Sequence, residues 1–184
     1  MDIHWVLYTL MRYDGIKQRG DVKMAVEIIK TRIVEFPALR FIGKRCLCDP
    51  GPGFVAKWNE WLENGWFSQL EKLNPAPENG NAYLGAGPGD VYWIGLLFPA
   101  ETSVPNGFEY ADIPADKYIV FEIGGKKDGE LLNEDGAKLC FNEIQKNGWI
   151  LRNGGWCYER YSRPDTIVSI YNEKNLFECV MAIE

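Results

Sequence analysis

The chain has 184 residues, enough for one domain of ordinary size or two very small ones. Hydrophobic residues at 46% and charged residues at 25% are an ordinary globular mixture, but 7 Trp, 9 Tyr and 9 Phe give an aromatic content of 14% that must fill a core, line a pocket, or both. Lys and Arg number 20 against 26 Asp and Glu, a net charge of −6, so the basic footprint that supplies most non-specific nucleic-acid affinity is missing and direct DNA binding is not expected.

A single histidine, His4, excludes a His-rich metal site and most His-dependent triads, and neither a metal nor a cofactor is expected. The five cysteines are an odd number with no basic-plus-apolar leader before them, which reads as reduced thiols in a cytoplasmic protein. No apolar run approaches the roughly 18–20 residues that a membrane span needs.

Residues 1–30 read as an N-terminal extension. Positions 3–11 are apolar and aromatic, 15–21 form a polar loop, and 22–29 suit a short helix. From there the punctuation becomes regular. Residues 31–36 and 39–46 read as strands around a turn at Pro37, and 49–53, rich in Pro and Gly, as a loop. Phe54, Trp58, Trp61 and Leu62 recur at helical spacing; Asn64-Gly65 ends or bends that helix, and Phe67, Leu70 and Leu73 continue its apolar face. Residues 81–86 and 91–98 read as strands around Gly87-Pro88-Gly89. Residues 110–113 and 117–123 are strand-like around Pro114, followed by a loop at 124–129. Asn133 suits a helix N-cap, with Leu132, Leu139, Cys140 and Ile144 as the apolar face and Asn147-Gly148 as the stop. Residues 156–161 and 176–183 supply two more strands.

The two halves repeat. Pro37-Ala38-Leu39-Arg40-Phe41-Ile42 matches Pro114-Ala115-Asp116-Lys117-Tyr118-Ile119 at a spacing of 77 residues. The same step carries 53–73 onto 130–150, where the second helix is read independently, and Ala82 onto Glu159. The expected fold is α+β: duplicated β-α-β-β modules, about 31–98 and 108–184, related by a pseudo-two-fold within one domain at 31–184. Their antiparallel sheet carries the helices and a central groove, and pockets tend to form at such junctions.

Familiar catalytic signatures are missing. There is no phosphate-binding Gly-x-x-x-x-Gly-Lys-[Ser/Thr] and no Gly-x-Ser-x-Gly, and 85–89 holds a Pro and precedes a strand, so it reads as a turn. Cys46 and Cys48 lack the Cys-x-x-Cys spacing and second pair of a metal site, and read as inert thiols. Core packing accounts for Trp58 and Trp61, whereas Tyr92, Trp93, Tyr161 and Trp66 are candidate walls of a groove.

Glu159 does not fit a simple strand. By alternation it shares a face with Cys157 and Tyr161, and a carboxylate among aromatic rings needs a cation, a hydrogen bond or a raised pKa. Three roles are open to it: an ion pair with Arg160 or Arg163, the counter-charge of a pocket for lipophilic cations, or a general acid/base in a dry site. Glu122 is a weaker anomaly expected to face solvent.

Several segments resemble the gyrase-inhibitor-like (GyrI-like) family, the effector-binding domain of some bacterial transcription activators. They are Phe36-Pro37-Ala38-Leu39-Arg40-Phe41-Ile42-Gly43, Tyr92-Trp93-Ile94-Gly95, Val104-Pro105-Asn106-Gly107-Phe108-Glu109-Tyr110 with Ile113-Pro114-Ala115, and Tyr158-Glu159-Arg160-Tyr161, in the family's order over about 30–184. The resemblance implies a multidrug-type aromatic pocket between two repeats, in which Glu159 occupies the position of a ligand-binding glutamate. Some stand-alone members of this family hydrolyse cyclopropane-containing cytotoxins with a pocket Glu, and others inhibit DNA gyrase. Residues 1–30 do not resemble the DNA-binding head of the regulators.

The expected function is therefore binding of aromatic or lipophilic molecules, cations among them, in a stand-alone drug- or toxin-sensing or sequestering protein. Glu159 is the anchor and Tyr161, Tyr92, Trp93 and Trp66 are the walls. A hydrolase with Glu159 as its catalytic group and a gyrase-directed interaction module are the alternatives.

Overall fold

The computed structural model describes residues 26–46, 52–80, 82–88, 91–125, 134–161 and 175–184. Its elements are β1 (Val26–Phe36), β2 (Leu39–Cys46), α1 (Pro52–Glu63), α2 (Trp66–Glu71), a short 3-10 turn (Pro77–Asn79), β3 (Tyr83–Pro88), β4 (Tyr92–Pro99), β5 (Glu109–Ile113), β6 (Asp116–Gly125), α3 (Glu134–Asn147), β7 (Trp156–Tyr161) and β8 (Asn175–Ile183). All eight strands join one sheet in the order β1-β6-β8-β7-β3-β4-β2-β5, and every pairing is antiparallel.

That order reads the same outward from the β3/β7 junction. β3-β4-β2 on one side mirrors β7-β8-β6 on the other, and each trio with its helices is one β-α-β-β module. The outermost strands are exchanged: β1 leads into the first module but borders the second, while β5 leads into the second and borders the first. The expected duplication and pseudo-two-fold are therefore present.

The links that make this exchange are very short. Only Pro37-Ala38 joins β1 to β2, although five strands lie between them in the sheet, and only Pro114-Ala115 joins β5 to β6. Three Cα–Cα steps of about 3.8 Å span about 11 Å at most, far less than the width of six strands at about 4.8 Å each. The sheet must therefore curl until its two edges approach, without closing the hydrogen-bonded ladder.

Curling gives the faces different roles. On the concave face, rings from distant strands meet. Phe41 of β2 stacks on Trp156 of β7 at 5.8 Å and Trp156 on Tyr158 at 6.0 Å, while Tyr158 meets Tyr118 of β6 at 5.6 Å and Tyr118 meets Phe36 of β1 at 4.9 Å with tilted rings. These rings are all buried. A paired Gly43 and Gly95 lie beneath the Phe41 ring; a Cβ on Gly95 would stand 2.8 Å from Phe41 Cε1 and 2.7 Å from Gly43 Cα. The same face buries Arg160, which pairs with Glu178 and donates to Glu78 O at 2.8 Å; Arg32 also pairs with Glu178.

The helices stand on the convex face. Trp58 and Trp61 of α1, three residues apart, turn inward, while Lys57 and Glu60 ion-pair at 2.8 Å on its outer side. Gly65, at φ 63°, breaks the helix before α2, as Asn64-Gly65 signalled. α3 lies over β1 and β8 and ends at Gly148, φ 69°; the N-cap assigned to Asn133 falls outside the described residues.

Four expectations change. Residues 26–29 are part of β1 rather than a helix, because β1 needs its full length to pair with β6 from Gly125 to Asp116. Gly87 and Pro88 belong to β3, paired with Cys157 and Trp156, instead of forming a turn. Glu122 is half-buried, because it sits between Lys30 and Glu178 in one cross-strand row. The 77-residue step holds from Leu39 to Asp116, the starts of β2 and β6, but the register gives 74 between β3 and β7, from Gly85 to Glu159, because the connections after the helices differ in length. Glu159 thus corresponds to Gly85, the residue it pairs with across the junction, not Ala82.

The glycine pair under Phe41 carries a prediction. Gly95→Ala forces backbone and ring apart and is expected to cost about 2–3 kcal/mol by urea denaturation, the scale of an overpacked core. Gly107→Ala, where a Cβ meets nothing within 4 Å and the φ of 85° supplies the only strain, should cost about 1 kcal/mol.

Candidate functional site

One cross-strand row on the convex face runs Thr31–Phe121–Cys179–Glu159–Gly85–Ile94–Lys44. Glu159 is at its centre, on β7 beside the pseudo-two-fold, between the region covered by α1 and that covered by α3. Directly opposite residues of antiparallel strands share a face, so this register alone puts Glu159 under the helices.

Two phenols hold its carboxylate, and both donate to Oε2: Tyr161 Oη at 3.0 Å and Tyr92 Oη at 3.2 Å. Tyr92 Oη in turn accepts the indole N–H of Trp58 at 3.3 Å. Trp58 also sets its ring edge-on to Tyr161 at 5.5 Å and stacks on Phe67 at 5.7 Å. Helix α1 is thereby tied to β4 and β7 through the site. No hydrogen bond to Oε1 occurs among the described residues, and no Lys or Arg among them pairs with this carboxylate.

Tyr92 belongs to β4 and reaches Glu159 by crossing over β3. The residue it crosses is Gly85. A Cβ there would lie 2.6 Å from Tyr92 Cζ and closer still to Oη, so only glycine lets the phenol lie flat over the strand.

Burial raises the pKa of Glu159, and the two phenolic hydrogen bonds oppose that rise without cancelling it. The phenols of Tyr92 and Tyr161 are pushed well above their ordinary value by burial and by the neighbouring carboxylate, and remain neutral donors. Burial drives the Cys157 thiol up to about 12. Cys179 moves the same way, first through its hydrogen bond with Cys140 and then through burial, so these thiols are inert. By surface area, however, Glu159, Tyr92 and Cys157 are only half-buried. Protein atoms surround the carboxylate while solvent still touches it.

The sequence profile of the GyrI-like small-molecule-binding domain matches residues 29–171. The chain belongs to the GyrI-like family. Among solved structures it is similar to SAV2435 bound to tetraphenylphosphonium, at 15% identity and a TM-score of 0.66 over 85% of this chain and 94% of that one. A Staphylococcus aureus Mu50 protein described in terms of bacterial transcription regulation follows at 15% and 0.61, over 84% and 98%. EcmrR in a DNA complex matches at 16% and 0.56, over 88% of this chain and 58% of its own. At these identities the likeness is one of fold. No curated protein sequence matches the chain.

Of the five site residues read from the sequence, this GyrI-like chain brings together Glu159, Tyr161 and Tyr92. It does not bring Trp93 or Trp66 to them. Trp93 follows Tyr92 on the same strand and so points to the concave face, edge-on to Phe41 at 6.1 Å and 7% exposed. Trp66 opens α2 beyond the helix break; it packs edge-on against Trp61 at 5.4 Å, with the Lys44 ammonium 4.2 Å above its ring. Arg160, weighed as a partner for Glu159, is on the concave face with Glu178, and Arg163 falls outside the described residues. Among the described residues no cluster of three or more His, Cys, Asp or Glu is arranged to hold an ion.

Two members of the site are new. Trp58 reads as core, and at 2% exposed it is core, yet its N–H serves the site. Gly85 reads as part of a turn. A buried indole needs an acceptor, which was a usable signal for Trp58; nothing local marks Gly85, whose role depends on register.

Gly85→Ala is expected to displace the Tyr92 phenol and cost about 1–3 kcal/mol in thermal or chemical denaturation. In a Tyr92→Ala background the added methyl meets no ring, so the same change should cost far less; equal costs in both backgrounds would contradict the crossing.

Proposed function

We propose that this GyrI-like protein binds lipophilic cations at Glu159, in drug or toxin sensing or sequestration. One observation carries the reading: a desolvated carboxylate with no described Lys or Arg against it, stabilised as an anion only by two phenolic donors. Burying a lone charge is costly, and a cation with apolar bulk restores the balance. With Oε2 occupied by two donors, Oε1 alone is left to accept beside the half-buried Tyr92 ring, which suits a delocalised or quaternary cation better than an ammonium seeking several acceptors. The tetraphenylphosphonium held by SAV2435, a structure of the same fold, supports the choice of ligand class.

Tetraphenylphosphonium should quench the intrinsic Trp fluorescence of the wild-type protein, Trp58 being in contact with the site. Glu159→Gln should lose tenfold or more in affinity, about 1.4 kcal/mol, while neutral triphenylphosphine oxide binds both proteins equally. A neutral compound that discriminates as strongly as the cation would remove the charge-anchor role.

The pH dependence follows from the raised pKa. The ionised form binds the cation, so affinity should fall on acidification, beginning above the usual glutamate range. In the free protein the sign is opposite. A carboxyl raised in the folded state contributes stability that is full below the unfolded pKa and is lost as pH rises through the folded one. Glu159→Gln should therefore melt a few degrees above wild type at pH 8 and level with it at pH 4.

The same raised pKa favours a second reading, a hydrolase of electrophilic cytotoxins with Glu159 as acid/base. Mass spectrometry separates the two. Product formed by wild type and not by Glu159→Gln establishes the hydrolase, and stoichiometric binding without product removes it.

A further inference from the structure

The hydrogen bond from Trp58 gives the site a direction. An indole N–H is a donor only, so at 3.3 Å the Tyr92 oxygen must accept. A phenol has one hydrogen, and Tyr92 presents it to Glu159 Oε2 at 3.2 Å. The chain Trp58→Tyr92→Glu159 therefore ends in a donated hydrogen on the carboxylate, with Tyr161 delivering a second. Without the indole, the Tyr92 oxygen could turn a lone pair to Glu159 and accept from a neutral carboxylic acid instead.

We infer that Trp58 is a positioning residue of this site: its indole N–H orients the Tyr92 hydroxyl and thereby sets the preference for cationic over neutral ligands. The inference rests on Glu159 being a cation's partner and adds the residue that keeps it so. Trp58 is well placed for this. It is held by Phe67 and Tyr161 on two sides and is buried, so its N–H has few other acceptors to choose from. Gly85 completes the device by leaving Tyr92 its path.

The titratable groups around Glu159 are few. Tyr161 and Cys157 accompany it on β7, Cys179 faces it from β8 with Cys140 of α3 behind, and Tyr92 comes from β4 with Cys46 of β2 near its hydroxyl. β3 contributes Gly85 at this point. All of these groups other than Glu159 are phenols or thiols, so between pH 4 and 8 the carboxyl is the group that titrates in this ring.

The test compares wild type with Trp58→Phe, which keeps a ring and removes the N–H, and with Trp61→Phe, a core change of the same kind outside the site. First, the carboxyl of Glu159 is titrated by 13C NMR in the ligand-free proteins. Its midpoint should rise by about one pH unit in Trp58→Phe and stay put in Trp61→Phe. Second, the affinity ratio of tetraphenylphosphonium to triphenylphosphine oxide at pH 6 should fall about tenfold in Trp58→Phe alone. A midpoint unchanged or lowered in folded Trp58→Phe overturns the inference, whatever binds. A raised midpoint with no binding of the phosphonium by wild type would instead sink the cation-binding reading and leave the orienting role of Trp58 intact. If Trp58→Phe does not fold, Tyr92→Phe, which removes the oriented hydroxyl and keeps its ring, takes its place in both measurements with the same expected and overturning results.

Discussion

Two dipeptides shape this molecule. Pro37-Ala38 and Pro114-Ala115 each join strands near opposite edges of an eight-stranded sheet, and so short a link is compatible only with a sheet curled edge toward edge. The division of labour between the faces follows. Rings from strands far apart in hydrogen-bonding order meet inside the curl, which becomes a core with Gly43 and Gly95 thinning its wall. The helices remain outside, and the central strip of the outer face, where the two modules meet, is where Glu159 stands.

The two faces handle buried charge differently. Inside, the buried cation of Arg160 is matched by the half-buried carboxylate of Glu178, itself shared with Arg32. Outside, Glu159 has dipoles in place of an ion: two phenolic hydrogens on one oxygen, one of them aligned by an indole. Dipoles of this kind lower the cost of a carboxylate without neutralising it, and that difference separates Glu159 from the structural ion pair of Arg160 and Glu178. The cost is visible in the raised pKa of Glu159.

Much of this organisation was legible in the residues. The repeated Pro-Ala segments revealed the duplication, apolar periodicity located the helices, and alternation along Trp156–Tyr161 put Glu159 beside Tyr161 and across the strand from Tyr158 and Arg160. Where the reading failed, it failed at register and direction. Tyr92 and Trp93 were taken together as walls, though neighbours on a strand face opposite ways. Trp66 was grouped with them because sequence proximity to a helix does not say which side of a helix break a ring falls on. The single 77-residue step missed the 74-residue step at the central strands, since loops can change length without disturbing either module.

By itself, then, the order of residues determined what is local: which segments extend or coil, where they stop, that they occur twice, and that one acidic side chain lies amid aromatic ones. Only the folded chain decided what depends on neighbours distant in sequence. It placed Gly85 next to Glu159 so that a tyrosine from a third strand could pass over it, and it turned a tryptophan of the core into a hydrogen-bond donor to the site. The physical reason is that strand pairing is fixed by the packing of whole faces, and no short stretch of sequence carries that information.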